Sequence, residues 1–149
     1  MSDILVCRAA RADDLLALLA LYAELSPDNP PLDVPMAEAR LAQMLAMPQL
    51  HLGIGEIGGR VVTTATLLLV PNLTRGARPF GLIENVVTLA AYRGQGHARR
   101  LLANLVDQAR DANVYKVMLM TGRKGESVLG FYESCGFARG TKTAFEIRF

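Results

Sequence analysis

The stretch AYRGQGHARRLL, residues 91 to 102, decides how this chain is read. It joins an apolar run, LIENVVTL at 82 to 89, to a segment with helical periodicity. Ala98, Leu101, Leu102, Leu105, Val106 and Ala109 follow helical spacing, whereas Arg99, Arg100, Asn104, Asp107, Gln108 and Asp111 take the other side. A strand that passes through a glycine turn into a helix leaves backbone N–H groups without partners at the helix start. The helix dipole adds partial positive charge there, and the two effects together make an anion site. Gly94 and Gly96 remove Cβ atoms that would block a phosphate and permit unusual φ/ψ. Arg93, Arg99 and Arg100 add side-chain charge. The same residues also suit a tight turn that binds nothing.

Working outward from the loop, Leu5 to Ala9 reads as a first strand. Asp13 is placed to cap a helix whose apolar side is Leu15, Leu18, Leu19, Tyr22 and Leu25, and Ser26-Pro27 ends it. Pro35 suits the first turn of a second helix, with Leu41, Met44 and Leu45 on its apolar side and Pro48 beyond its end. Leu50, Leu52 and Ile54 alternate, Gly58-Gly59 makes a turn, and Val61 to Val70 returns as the second arm of a hairpin. After the helix that follows the loop, Asn113 is a left-handed stop. KVMLMT is a strand, Glu126 to Cys135 a short helix ended by Gly136, and Phe145, Ile147 and Phe149 alternate as a last strand. The predicted order is β-α-α-β-β-β-α-β-α-β. The unit from Leu82 to Thr121 is a right-handed parallel crossover within a mixed sheet flanked by helices, an α/β fold.

The 149 residues suit one domain with a real core. Hydrophobic residues make up 51% and charged residues 20%, the balance of a globular chain. A net charge of +2, with the arginines dispersed, argues against a nucleic-acid partner. Cys7 and Cys135 form no CxxC pair, and no cluster has metal-ligand spacing, so no metal is expected. The first residues lack the apolar core of a signal peptide and no apolar run is long enough for a membrane span, so the expected setting is soluble and cytoplasmic.

Two nucleotide motifs fail. TGRKGES does not supply a Walker loop, and a Rossmann fingerprint needs glycine where Arg99 stands. Arg93-Gly94-Gln95-Gly96-His97-Ala98 instead matches Arg/Gln-x-x-Gly-x-Gly/Ala, and GFYESCGF follows about 30 residues later. Both resemble motifs of the GCN5-related N-acetyltransferases, and the resemblance is strong over residues 82 to 137. LIENVVT, the loop and VYKVMLMTG are most similar to the glucosamine-6-phosphate N-acetyltransferase-like members.

The resemblance implies the family fold, acetyl-CoA as donor, a primary amine as acceptor, and direct attack in a ternary complex. It implies that the amides of Gly94, Gln95, Gly96, His97 and Ala98, with Arg99 next, hold the coenzyme A pyrophosphate. Arg93 either contacts phosphate or braces the loop. The pantetheine arm would pair with backbone at Val86, Val87 and Thr88, and the amides around Val87 would polarise the thioester carbonyl. Tyr132 lies where many members keep a tyrosine near the thioester sulfur, and a phenol there can protonate the departing thiolate. The alternative is an amphipathic core tyrosine. Glu84 is the candidate general base, a partly buried carboxylate being suited to that task. Its alternative role is an ion pair with the loop arginines. His51 is a weaker candidate base, and Cys135 reads as a small buried hydrophobe.

One departure from the family is Gly125, where many members carry a cofactor-contacting asparagine. The contact would then pass to Ser127 or to backbone. Arg123 and Lys124 either meet the adenosine 3′-phosphate or are solvated. Arg75 and Arg78 hint at an acidic or phosphorylated acceptor, a solvated loop, or a homodimer interface. Two other assignments remain open: a non-catalytic acyl-CoA-binding regulatory module, and an acetyltransferase for protein or peptide amines.

Overall fold

The computed structural model describes residues 4–149. Five strands form one mixed sheet in the order β1-β2-β3-β4-β5. They are Val6–Ala9, Leu50–Ile57, Arg60–Val70, Phe80–Thr88 and Val117–Leu119. The first four pair antiparallel, and β5 runs parallel to β4. The sequence spacing explains why. A two-glycine turn with positive φ at Gly58 and Gly59 closes the β2–β3 hairpin, whereas a whole helix separates β4 from β5.

Helices α1 (Leu15–Leu25) and α2 (Val34–Leu45) cover one face. Leu18, Leu21 and Leu41 there meet Leu52, Ile54 and Val87. Helix α4 (His97–Asp111) covers the other face, where Leu101, Leu102, Leu105 and Ala109 meet Ala65, Leu67 and Ile83. None of those four α4 residues is more than 1% exposed. Each leucine so buried contributes about 2 kcal/mol, so α4 is fixed mainly by packing on the sheet. Asn113 at φ 60 ends the helix run, as its sequence position implied. Between β3 and β4 lies α3 (Thr74–Ala77), one irregular turn with Arg75 and Gly76 in left-handed conformations. Helix α5 (Glu126–Ser134) packs Phe131 and Tyr132 against the α4 side.

Two expectations are corrected. The first concerns the helix start. Arg11 occupies the cap, a 3-10 turn spans Ala12–Asp14, and it is Asp14 that accepts from Arg11 N at 2.7 Å, not Asp13. Asp14 also takes both terminal nitrogens of Arg8, at 2.8 and 2.9 Å, while Arg8 Nε donates to Glu56 at 2.9 Å. The competing partner won because Arg8 on β1 aims its guanidinium at Asp14. The second concerns the last strand: residues 144–149 pair with no strand among the described residues. Phe145, Ile147 and Phe149 are 93%, 82% and 118% exposed. Alternation specifies the faces of a strand, but a strand also needs a partner edge. The adjacent edge strand, β5, is only three residues long.

The Arg8 guanidinium holds the Asp14 carboxyl below the usual carboxylate range. A depressed folded-state value means that this stabilisation is complete above the unfolded carboxyl's pKa and is lost as pH falls through the folded value. Replacing Asp14 by Asn should therefore cost about 2 kcal/mol at pH 7. In urea titrations the gap from the parent protein should close as the pH drops below about 4.

Candidate active site

Strand β4 touches β5 only over Gly81–Ile83. It then continues to Thr88 with no strand on that side, and a cleft of about 970 Å³ opens between the diverging elements. A second irregularity lies on the opposite edge of β4. Thr64 pairs with Val87 and Thr66 with Glu84, so two steps on β3 match three on β4. The extra residue makes a β-bulge. Asn85 has φ 55, a left-handed conformation that asparagine adopts more readily than most residues.

The bulge resets the pleat. Ile83 packs toward α4, Val86 also packs toward α4, and Val87 turns to the α1 face. Backbone direction follows. Leu89 N–H reaches Val62 O at 2.9 Å, and Thr63 Oγ1 reaches Val87 O at 3.0 Å, so odd-numbered residues here address β3. Arg93 Nε reaches Thr88 O at 2.9 Å on the open side. N–H and C=O of one strand residue share an edge, so the polar backbone of Val86 and Thr88 faces the cleft. The backbone role expected around Val87 therefore moves to Val86. Val87 itself lines the cleft but sends its carbonyl into the sheet.

At the end of β4 the glycine loop behaves as an anion cradle. Gly94 and Gly96 have φ 73 and 82, and the space over each α-carbon is open. The first helical hydrogen bond is Arg100 N–H to Gly96 O, at 3.1 Å. The amides of residues 94 to 99 have no acceptor among the described residues. Arg93 is a brace: besides Thr88 O it reaches Glu24 at 3.1 Å, and Glu24 also accepts from Ala90 N at 2.8 Å. Glu24, on α1, was not legible in the sequence because nothing local ties it to the loop. Arg99 ties α4 to the end of α5, with Nη2 2.7 Å from Ser134 Oγ. Its guanidinium is thus committed to protein, and its backbone N–H is what it offers the cradle.

Glu84, Val86, Val87, Thr88, Arg93, Gly94, Gly96, His97, Ala98, Arg99, Ser127 and Tyr132 all line this one cleft. Gln95 does not; its side chain folds back, with Nε2 3.3 Å from Ala91 O and Oε1 3.3 Å from His97 Nε2. The His97 ring is buried under the loop and its Nδ1 has no partner among the described residues. Glu84 is exposed on the cleft wall rather than partly buried. Among the described residues it makes no ion pair, so the expected alternative of a pair with the loop arginines is not what forms. Tyr132 is half-buried between Phe131 and Phe137, with ring centroids 5.1 and 6.4 Å away. Burial pushes its phenol above the usual range, with Arg123 opposing, so it holds its proton at neutral pH.

Several weaker candidates drop out. His51 stands in a separate groove, 2.7 Å from Gln108 Oε1. Burial pushes the Cys135 thiol up, away from nucleophilic use. Arg78 caps the end of α4 through Asn113 O and Val114 O at 3.1 and 2.8 Å, and Arg75 lies over the Tyr115 ring. Neither lines the cleft. Leu25, Ser26 and Arg148 do line it, and no sequence pattern pointed to them.

A mixed sheet whose parallel pair splays beside a helix-start anion cradle is the arrangement that the family resemblance implies for an acyl-CoA site. Comparison with known proteins is concordant. The acetyltransferase (GNAT) family model matches residues 18–137, and the chain belongs to that family. It is 34% identical over 139 residues to a glucosamine 6-phosphate N-acetyltransferase of Trypanosoma brucei brucei, covering 92% of each chain. It is 33% identical to glucosamine 6-phosphate N-acetyltransferase 1 of Oryza sativa subsp. japonica, over 85% of this chain and 76% of the other. A solved chain from Agrobacterium tumefaciens str. C58 superposes with a TM-score of 0.93 at 51% identity, covering 97% of this chain and 99% of that one. The protein is an acetyltransferase with acetyl-CoA as donor.

Replacing Gly96 by Val forces a branched side chain into φ 82 and narrows the cradle. The KM for acetyl-CoA should rise about tenfold or more, because the loop amides lose their aim at the pyrophosphate. Steady-state kinetics read the change, and thermal unfolding separates it from loss of fold.

Proposed function

We propose that this chain transfers the acetyl group of acetyl-CoA to the primary amine of a small molecule, with an amino-sugar phosphate as acceptor. The carrying observation is that one cleft wall unites the unbonded amides of residue 94 and residues 96 to 99, exposed Glu84 and protonated Tyr132. The relatives named as glucosamine 6-phosphate N-acetyltransferases support the acceptor class. So does Arg123. Of the arginines on the cleft, Arg93 is engaged by Glu24, Arg99 by Ser134 and Arg148 by Glu146. The Arg123 guanidinium has no such partner among the described residues and is free to meet an anion.

Acetyl-CoA supplies a thioester carbonyl open to an amine. The loop amides hold its diphosphate, and the cleft edge of β4 offers backbone pairing to its arm. Val86 N–H lies on that edge and donates where negative charge develops on the carbonyl oxygen. Glu84 takes the ammonium proton through water. Tyr132 gives its proton to the departing sulfur, and the second proton, which the nitrogen sheds as the adduct collapses to the amide, restores the phenol. Bond formation and bond cleavage need no acyl-enzyme, consistent with an unactivated Cys135.

A homodimer and a cytoplasmic setting belong to the same proposal. Exposed Phe145, Ile147 and Phe149 form an apolar row for which a second copy would supply cover. The two free thiols suit a reducing compartment. Light scattering should give a dimer mass, and I147D should shift it toward the monomer.

Thiol release from acetyl-CoA should be measured with glucosamine 6-phosphate, glucosamine, amino acids, polyamines, aminoglycosides and lysine peptides. Glucosamine 6-phosphate should exceed glucosamine about tenfold or more in kcat/KM, and Arg123→Gln should erase that preference. Release only with lysine peptides would replace the acceptor assignment. CoA binding without release from any amine would favour the regulatory module. Tyr132→Phe should lower kcat about a hundredfold while CoA affinity stays within about threefold.

A further inference from the structure

Thr63 is fully buried on β3. Its Oγ1 donates to Val87 O at 3.0 Å and lies 2.9 Å from Thr88 Oγ1. A hydroxyl carries one proton. Thr63 has committed its proton to the Val87 carbonyl, so Thr88 is the donor in the second bond. Thr88 lines the cleft, and its proton points into the sheet. With that proton committed to Thr63, the hydroxyl's remaining capacity is as an acceptor. The Thr88 backbone carbonyl already accepts from Arg93.

Resting on the acyl-CoA assignment of the cleft, we propose that the Thr88 hydroxyl is an acceptor-only recognition point for an N–H or O–H of the pantetheine arm. Thr63 is the positioning residue that fixes it in that role. The place on the strand selects the arm over other ligand groups. Thr88 is four residues beyond Glu84, about 13 Å along an extended chain at most, toward the loop. An amine poised beside Glu84 does not reach it. Phosphate oxygens are repelled by its lone pairs and are served by the amides of residues 94 to 99. Between these two lies the arm, with two amide N–H groups and one hydroxyl to donate. The chain Thr88 to Thr63 to Val87 also ties the residue that grips the arm to the first β4 residue paired after the bulge, so arm register and bulge geometry are set together.

The test compares CoA with adenosine 3′,5′-bisphosphate, which lacks the arm, by isothermal titration to the full chain. Thr88→Val and Thr63→Val should each weaken CoA about fivefold and leave the bisphosphate within about twofold. Thr88→Ser should bind as the parent does. In turnover the two valine variants should raise the KM for acetyl-CoA with little change in kcat or in the acceptor KM. The double variant should be no worse than the weaker single, since both break one chain. Unchanged CoA affinity in Thr88→Val would overturn the inference, as would equal weakening of both ligands, which would locate the effect in the fold. Thr88→Val keeps the test available if Thr63→Val fails to fold. A parent protein that binds neither ligand would overturn the acyl-CoA assignment itself.

Discussion

The three-for-two register step between β3 and β4 is the constraint on which the site depends. One extra residue at Asn85 puts Val86 on the same face as Ile83, three residues earlier, and exposes the Val86 backbone to the cleft. A left-handed asparagine costs about 1 kcal/mol, a cost offset by pairing on both sides of it. Without the step, β4 would continue its ladder unbroken, and Val86 would turn its backbone toward β3 instead of the cleft. The short overlap with β5 completes the opening. Parallel pairing over three residues anchors the two strands, and their divergence makes a groove inside a sheet that is otherwise closed.

Charge in the groove is arranged so that side chains hold the loop and backbone holds the ligand. Arg93 and Arg99 are engaged with Glu24, Thr88 and Ser134. These contacts are exposed, and each is worth little alone. Their effect is to fix the entry angle of α4, whose free amides and dipole then form the anion site. The arrangement suits a ligand that must leave after each turnover. Backbone donors give direction at the loop, while Arg93 and Arg99 stay bound to protein.

Two cores on opposite faces keep these parts in register. The α4 face fixes the loop because His97 follows it directly, and Leu101, Leu102 and Leu105 lock the helix to β2 and β3. The α1 face delivers Glu24 to the loop from the other side. Loop geometry is therefore held by both layers, although the loop itself is short and exposed.

The sequence by itself determined the elements and the location of the site. Glycines at 94 and 96, an apolar strand before them and a 3.6-residue period after them specify a strand, an anion cradle and a helix through local sterics alone. The tyrosine motif placed α5, and Asn113 marked the end of the α4 run. Tertiary structure decided what depends on a distant partner. It chose Asp14 over Asp13 through Arg8, engaged Arg93 with Glu24, sent Arg78 to the end of α4, and left Phe145, Ile147 and Phe149 outside the sheet. It also made the bulge, because register is a property of two strands, and no single-strand pattern records how many residues its neighbour will match.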